Sequence, residues 1–230
     1  MWATVVVCAF ACCGDGLDTD TPSPSESLIA ELKQTLQTGS LIFSQGDCLA
    51  VRIFSQSSYT HVGGVVEIEN DFIVYDSMNG VGVRKTPLEE YVRQQTPGSI
   101  RIVHPAIAFT DDQITSYVTH LESQLGRMYA VKHHLTGSRS DGLHCSEYMT
   151  DALVAADLIT AKQPSRVSPG SLLEGVTASN VYLAGNGFEL NAPEPAPQTD
   201  DATWYQRAWR STSGCCSKSA TKMRRWVLCR

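Results

Sequence analysis

A chain of 230 residues with 42% hydrophobic side chains is long enough to bury one core of ordinary domain size and leave tails at both ends. No apolar run approaches the roughly 18 to 20 residues that cross a bilayer, which excludes a membrane-spanning body and leaves the two ends as the places where attachment could occur. The net charge of -6 is unevenly spread: residues 201–230 hold seven Lys/Arg against Asp201 alone, so residues 1–200 carry 11 basic and 23 acidic side chains, a balance that repels phosphate and excludes a nucleic-acid-binding core.

In chain order, the opening MWATVVVCAFACCGDG holds an apolar stretch of about ten residues, the length of a signal-peptide core. Ala9-Phe10-Ala11-Cys12 is similar to a lipobox, the motif at which bacterial lipoproteins are cleaved and acylated on cysteine, although it lacks a basic n-region and a leucine three residues before the cysteine. A Pro/Ser-rich tether follows, and residues 1–24 are read together as a signal-like segment and flexible tether. They predict export to the bacterial cell envelope with a lipid anchor at the N-terminus, against the alternative of a cytoplasmic protein with a disordered start. From residue 25 the pattern becomes a short amphipathic helix, with Leu28, Leu32 and Leu36 at intervals of four and Gly39 as its stop. Strands are predicted over 40–45, 61–68, 71–78 and 99–105, all short and rich in β-branched residues. Helices are predicted over 86–95, with Pro87 in the first turn, over 110–126 from a Thr/Asp start to Gly126, and from Cys145 onward. Strands first and helices toward the C-terminus make an α+β domain over 25–190. The Pro-rich linker NAPEPAPQTDDAT then leads into a basic tail without helical or strand period, so 191–230 is read as a flexible extension.

Eight cysteines cluster at the two ends, leaving only Cys48 and Cys145 between, so there is no disulfide framework. No C-x-x-C or C-x-x-H pair suggests a zinc site, and neither metal nor cofactor is expected. Cys145 stands where a glycine turn, DGLHC, opens a helix. There it could be a small apolar filler or a nucleophile. A helix N-terminus presents unpaired amides and partial positive charge, which favour thiolate over thiol, whereas Cys48 follows a Gly-Asp turn with no helix end behind it. A nucleophilic thiol needs a base in reach. Of six histidines, His133 and His134 lie in a polar loop, His120 is mid-helix, His104 precedes a proline, and His144 adjoins Cys145 in sequence but points elsewhere. His61 is the candidate that opens a strand, with Gly63 and Gly64 expected to leave room for its ring. A strand histidine or a buried cysteine alone is usually packing; a thiol at a helix start together with an imidazole at a strand start points to catalysis.

The segments GSLIFSQGD, YTHVGGVVE, IVYDSMNGVGVRKTPLEEYV, LGRMYAVKHH and LHCSEYMTDAL stand in the order seen in another group of proteins. Over roughly residues 38–175 the chain resembles the circularly permuted papain-like amidases of the YaeF/YiiX type, relatives of NlpC-type cell-wall endopeptidases. The resemblance implies an antiparallel sheet packed against helices, a cysteine on the helix N-terminus, a histidine on the sheet, and acyl chemistry on amide bonds. Two departures stand out: Gly39 is followed by Ser40 where the family reads Gly-Asp, and Met128-Tyr129 replaces Pro-Tyr. Tyr129 survives as a candidate donor to the reacting carbonyl.

Two acids compete to orient His61. Glu67 shares its strand face but lies six residues away, roughly 20 Å at about 3.3 Å per residue. If residues 67–70 form a four-residue turn, His61 falls directly opposite Asp76 on the next strand, within reach of its carboxylate. The family also tends to carry an acid there. The expected site is therefore Cys145, His61 and Asp76, with Tyr129 beside them. The expected activity is hydrolysis of an amide in a peptide or acyl-amide substrate, with peptidoglycan the natural class for an exported protein. Acyl transfer or lipid amide/ester hydrolysis on the same scaffold, and a non-catalytic binding module, are the alternatives.

Overall fold

The computed structural model describes residues 26–45, 57–96, 98–130 and 141–190. The signal-like segment, the basic tail, Cys48, His133 and His134 lie outside the described residues. Helix α1 (Glu26–Thr35) leads into β1 (Leu41–Gln45), and β2 (His61–Ile68), β3 (Asp71–Met78) and β4 (Gly82–Pro87) follow as a meander. Next come α2 (Leu88–Gln95), β5 (Gly98–Pro105), α3 (Asp111–Ser123) and α4 (Cys145–Ala155). A 3-10 turn (Pro164–Arg166), α5 (Pro169–Ala178), β6 (Tyr182–Leu183) and β7 (Gly187–Leu190) complete the chain.

Alternating side chains divide these strands into two buried faces. The sheet is antiparallel in the order β4-β3-β2-β1-β5-β6, with β7 also paired to β5. Leu41, Phe43, Val62, Val66, Tyr75 and Val103 face one core, shared with α3 and α4. Ile42, Val65, Val74, Ile100 and Ile102 face the other, closed by α1 and α2. The mixed α+β architecture expected from the sequence is the one observed.

Helix starts follow their capping chemistry. Thr110 and Gln113 form a reciprocal capping box at α3, and Ser168 and Ser171 do the same at α5, where Pro169 occupies the first turn. The carboxylates of Asp111 and Asp112 add favourable charge at the α3 N-terminus. Gly64 lets α3 and α4 approach β2: a Cβ there would stand 2.2 Å from Tyr117 Oη and 2.6 Å from Met149 Sδ. The space at Gly63 is taken up by Val74 and Tyr91. The two glycines therefore serve packing on opposite faces, not the clearance for an imidazole that the sequence suggested.

The β2–β3 hairpin corrects the expected register. Ile68 pairs with Asp71, so the turn is two residues, Glu69 and Asn70, with φ of 51° and 68°. Gly64 pairs with Tyr75, which sets Asp76 two positions away from the place opposite His61. A two-residue slip preserves the face, so Asp76 remains on the His61 side as a diagonal neighbour.

Candidate active site

Cys145 is the first residue of α4 and is buried, with 4% exposure. Several bonds fix the backbone that leads to it. Leu143 N–H donates to Met128 O (2.9 Å), Ala130 N–H to Leu143 O (3.4 Å), and Ser77 Oγ also donates to Leu143 O (2.7 Å). His144 caps the helix: its Nδ1 accepts from Glu147 N–H (3.2 Å), and its Nε2 donates to Ser165 O (2.9 Å). This histidine is thus engaged at both nitrogens in holding the helix start, a structural role the sequence did not reveal.

His61 begins β2, paired across the sheet with Ser44. Its ring lies against Tyr91, with centroids 6.4 Å apart and planes 28° from parallel. Nε2 meets Asp76 Oδ2 at 2.9 Å, which leaves Nδ1 for the thiol. Burial disfavours the imidazolium, but the Cys145 thiolate and the Asp76 carboxylate, each through charge and hydrogen bonding, outweigh it and push the His61 pKa up to about 10. The His61 ring therefore favours its protonated, imidazolium form.

Asp76 is fully buried, yet held below the usual carboxylate range. Burial pushes its pKa up; the hydrogen bonds and positive charges of His61 and Arg84 more than reverse this. Arg84 lies directly across from Asp76 on β4 and clasps it, Nε to Oδ1 at 2.8 Å and Nη2 to Oδ2 at 3.2 Å. Its Nη2 also donates to Gln94 Oε1 (2.7 Å), and Gln94 Nε2 to Glu90 Oε1 (3.1 Å). Two strands and α2 thus supply a hydrogen-bonded chain behind the imidazole. Sequence reasoning missed Arg84 because it left 82–85 unassigned and read 86 and 87 as the start of a helix, although Asn79-Gly80 before them is a strong hairpin signal.

Tyr129 sits half-buried in an isolated parallel bridge with Leu143, two residues before Cys145. Burial and then the Cys145 thiolate raise its pKa, keeping it a phenol able to donate a hydrogen bond. Glu67 is exposed and pairs with Phe72, away from these groups. His104 Nδ1 meets Ser40 Oγ at 3.0 Å, so it too is engaged elsewhere. Of the sequence candidates, the fold brings Cys145, His61, Asp76 and Tyr129 together. Among the described residues, no group of three or more His, Cys, Asp or Glu side chains is arranged to hold a metal ion.

An antiparallel sheet between helices, with a thiol on a helix N-terminus and a carboxylate-bound imidazole on a strand, has the layout of papain-like amidases. The sequence profile of the permuted papain-like amidase family, YaeF/YiiX, C92, matches residues 35–222, and the chain belongs to this family of amidases and peptidases. Among solved structures, the chain is similar to the metalloprotein YiiX of Escherichia coli O157:H7, with 19% identity over 68% of this chain and 89% of that one and a TM-score of 0.46. No curated protein matches the chain significantly.

Proposed function

We propose that the protein hydrolyses amide bonds through Cys145. The observation that carries this reading is His61, whose Nε2 is bound to Asp76 while the same ring is within hydrogen-bonding reach of Cys145 at the start of α4. The thiolate attacks the amide carbonyl carbon, forming a C–S bond and a tetrahedral oxyanion. The Cys145 N–H, free of an intrahelical partner at the first position of α4, and the Tyr129 hydroxyl donate to that oxyanion. The C–N bond then breaks, and His61 gives its proton to the departing amine. Water next attacks the thioester and loses a proton to His61, and the acid is released as the thiolate re-forms. Asp76 holds the ring in orientation and stabilises its charged form.

The reading is tested with purified full-length protein on muropeptides and acyl-lipid amides, with intact-mass analysis of Cys145. Turnover that C145S and H61A abolish, with a transient thioester on Cys145, is the expected result. Amide turnover persisting in C145S would overturn it. Products in which an added amine captures the acyl group faster than water would identify an acyltransferase instead. A peptide of the bacterial cell wall is the proposed substrate class, and export with an anchor near Cys12 is the proposed setting. Cell fractionation and labelling with a fatty-acid analogue check the latter.

A further inference from the structure

Strand alternation places one positive charge on the same side of the sheet as Cys145. Arg101 alternates with Ile100 and Ile102, which face the α1/α2 core, and points with Val103 toward the α3/α4 core. It pairs across the sheet with Phe43, which in turn pairs with Val62, the residue after His61. Phe43, Val62 and Cys145 belong to one buried cluster. At about 4.8 Å between strands, the two steps from β2 to β5 put Arg101 about 10 Å along the sheet from the His61 strand.

The other cations that are not fully exposed have partners: Arg84 with Asp76, Lys33 with Asp71, and Arg127 with Gln124 and the Asp141 carbonyl. Arg101 is only partly exposed; its Nε is buried and finds no hydrogen-bond partner among the described residues. A buried guanidinium nitrogen without a partner is costly, so such a group suits an anion supplied from outside. Beside Arg101 across the sheet, Phe43 packs edge-on against Tyr59, with ring centroids 6.0 Å apart.

The geometry points to Arg101 as the group that binds a free carboxylate of the substrate, about 10 Å, or roughly three extended residues, from the scissile carbonyl. This rests on the hydrolase reading above. Guanidinium forks fit carboxylate and phosphate alike. A carboxylate is chosen because, among the described residues, the cross-strand neighbours of Arg101, Phe43 and Gly187, offer no second positive charge for a doubly charged group.

The test alkylates Cys145 in the full-length protein, read by peptide mass spectrometry. The probe is N-bromoacetyl-6-aminohexanoate, whose carboxylate stands about 10 Å from the reacting carbon when extended. Its comparison compounds are the neutral carboxamide and N-bromoacetyl-5-aminopentylphosphonate. Each rate is divided by that variant's rate with iodoacetamide. Wild type should favour carboxylate over carboxamide by about 10-fold or more, R101K should keep part of the preference, and R101Q should lose it. Equal wild-type rates, a preference that survives R101Q, or faster reaction with the phosphonate would each overturn the assignment. Circular dichroism checks folding; if R101Q does not fold, the R101K and wild-type comparisons decide. Because alkylation needs no hydrolysis, absent amide turnover counts against the hydrolase reading, and absent charge preference counts against Arg101.

Discussion

His61 is set between Cys145 and the Asp76 carboxylate, and both favour its protonated form. The consequence for pH follows from the direction of the shift. The pKa rises from an ordinary 6.5 to about 10, so the stability contributed by this pairing is fully present below about pH 6.5 and is lost as pH rises through about 10. Asp76, whose pKa is lowered, contributes above the ordinary carboxylate range and loses its contribution as pH falls through the lower folded value. The kcat/KM profile should therefore stay high well above neutrality, with its alkaline limb near pH 10. Asp76→Ala removes one of the groups that hold the proton on His61, so that limb should move to lower pH while turnover drops about 10²- to 10⁴-fold. Glu67→Ala should leave both unchanged, because Glu67 is exposed and pairs with Phe72. An unmoved limb in the Asp76 variant would separate the carboxylate from the imidazole.

The grouping of Cys145, His61 and Asp76 was legible because it depends on elements with strong local signals. A β-branched run sets β2 and β3, and a glycine turn followed by an apolar helix sets α4. The register was less legible: a tight hairpin at Glu69-Asn70 lacks the glycine that marks most two-residue turns, and the expectation was a four-residue turn over 67–70. Asp76 still emerged as the partner of His61 because side chains repeat every two residues, and the error was two residues. Arg84 was missed for another reason: its role depends on a third strand packed beside Asp76, which the Asn79-Gly80 turn signals but the reading of 82–87 did not take up. The short β6 and β7 hold two and four residues, too few to show periodicity, and they exist through pairing with β5. The hairpin itself gives a measurable consequence. Glu69 adopts φ of 51°, a left-handed conformation that asparagine tolerates better than glutamate. Glu69→Asn should stabilise the protein by about 0.5–1 kcal/mol, seen as a higher midpoint in urea at an unchanged slope. A lower midpoint would show that the Glu69 side chain contributes more than its backbone costs.

Across the whole molecule, one sheet separates two cores, and the site draws on both. Cys145 comes from the α3/α4 side, while Tyr91 on α2 lies against His61 and Gln94 on the same helix engages Arg84 from the other side. Helix α4 is tied into this frame along its length: Ser77 holds the segment before it, Tyr148 Oη donates to Leu121 O of α3 at 2.7 Å, and Met149 fills the space over Gly64. Helix α1 belongs to the opposite core and is absent from the hydrogen-bonded chain behind His61. Leu32 on α1 and Met149 on α4 are both fully buried, so replacing either with Ala should cost a similar 2–5 kcal/mol or so through lost burial and a cavity. Their effects on catalysis should differ. Leu32→Ala should lower the melting temperature while kcat/KM, measured well below that temperature, stays within about twofold of wild type. Met149→Ala should cost comparable stability and also reduce kcat, because it loosens the helix whose first residue is the proposed nucleophile against the strand whose first residue is the proposed base; about 10-fold is expected for a displacement smaller than 1 Å. If the two variants lose activity equally, the cores are coupled through the sheet more tightly than this division allows, and the site depends on the whole fold and not on the α4 contacts with β2 and α3.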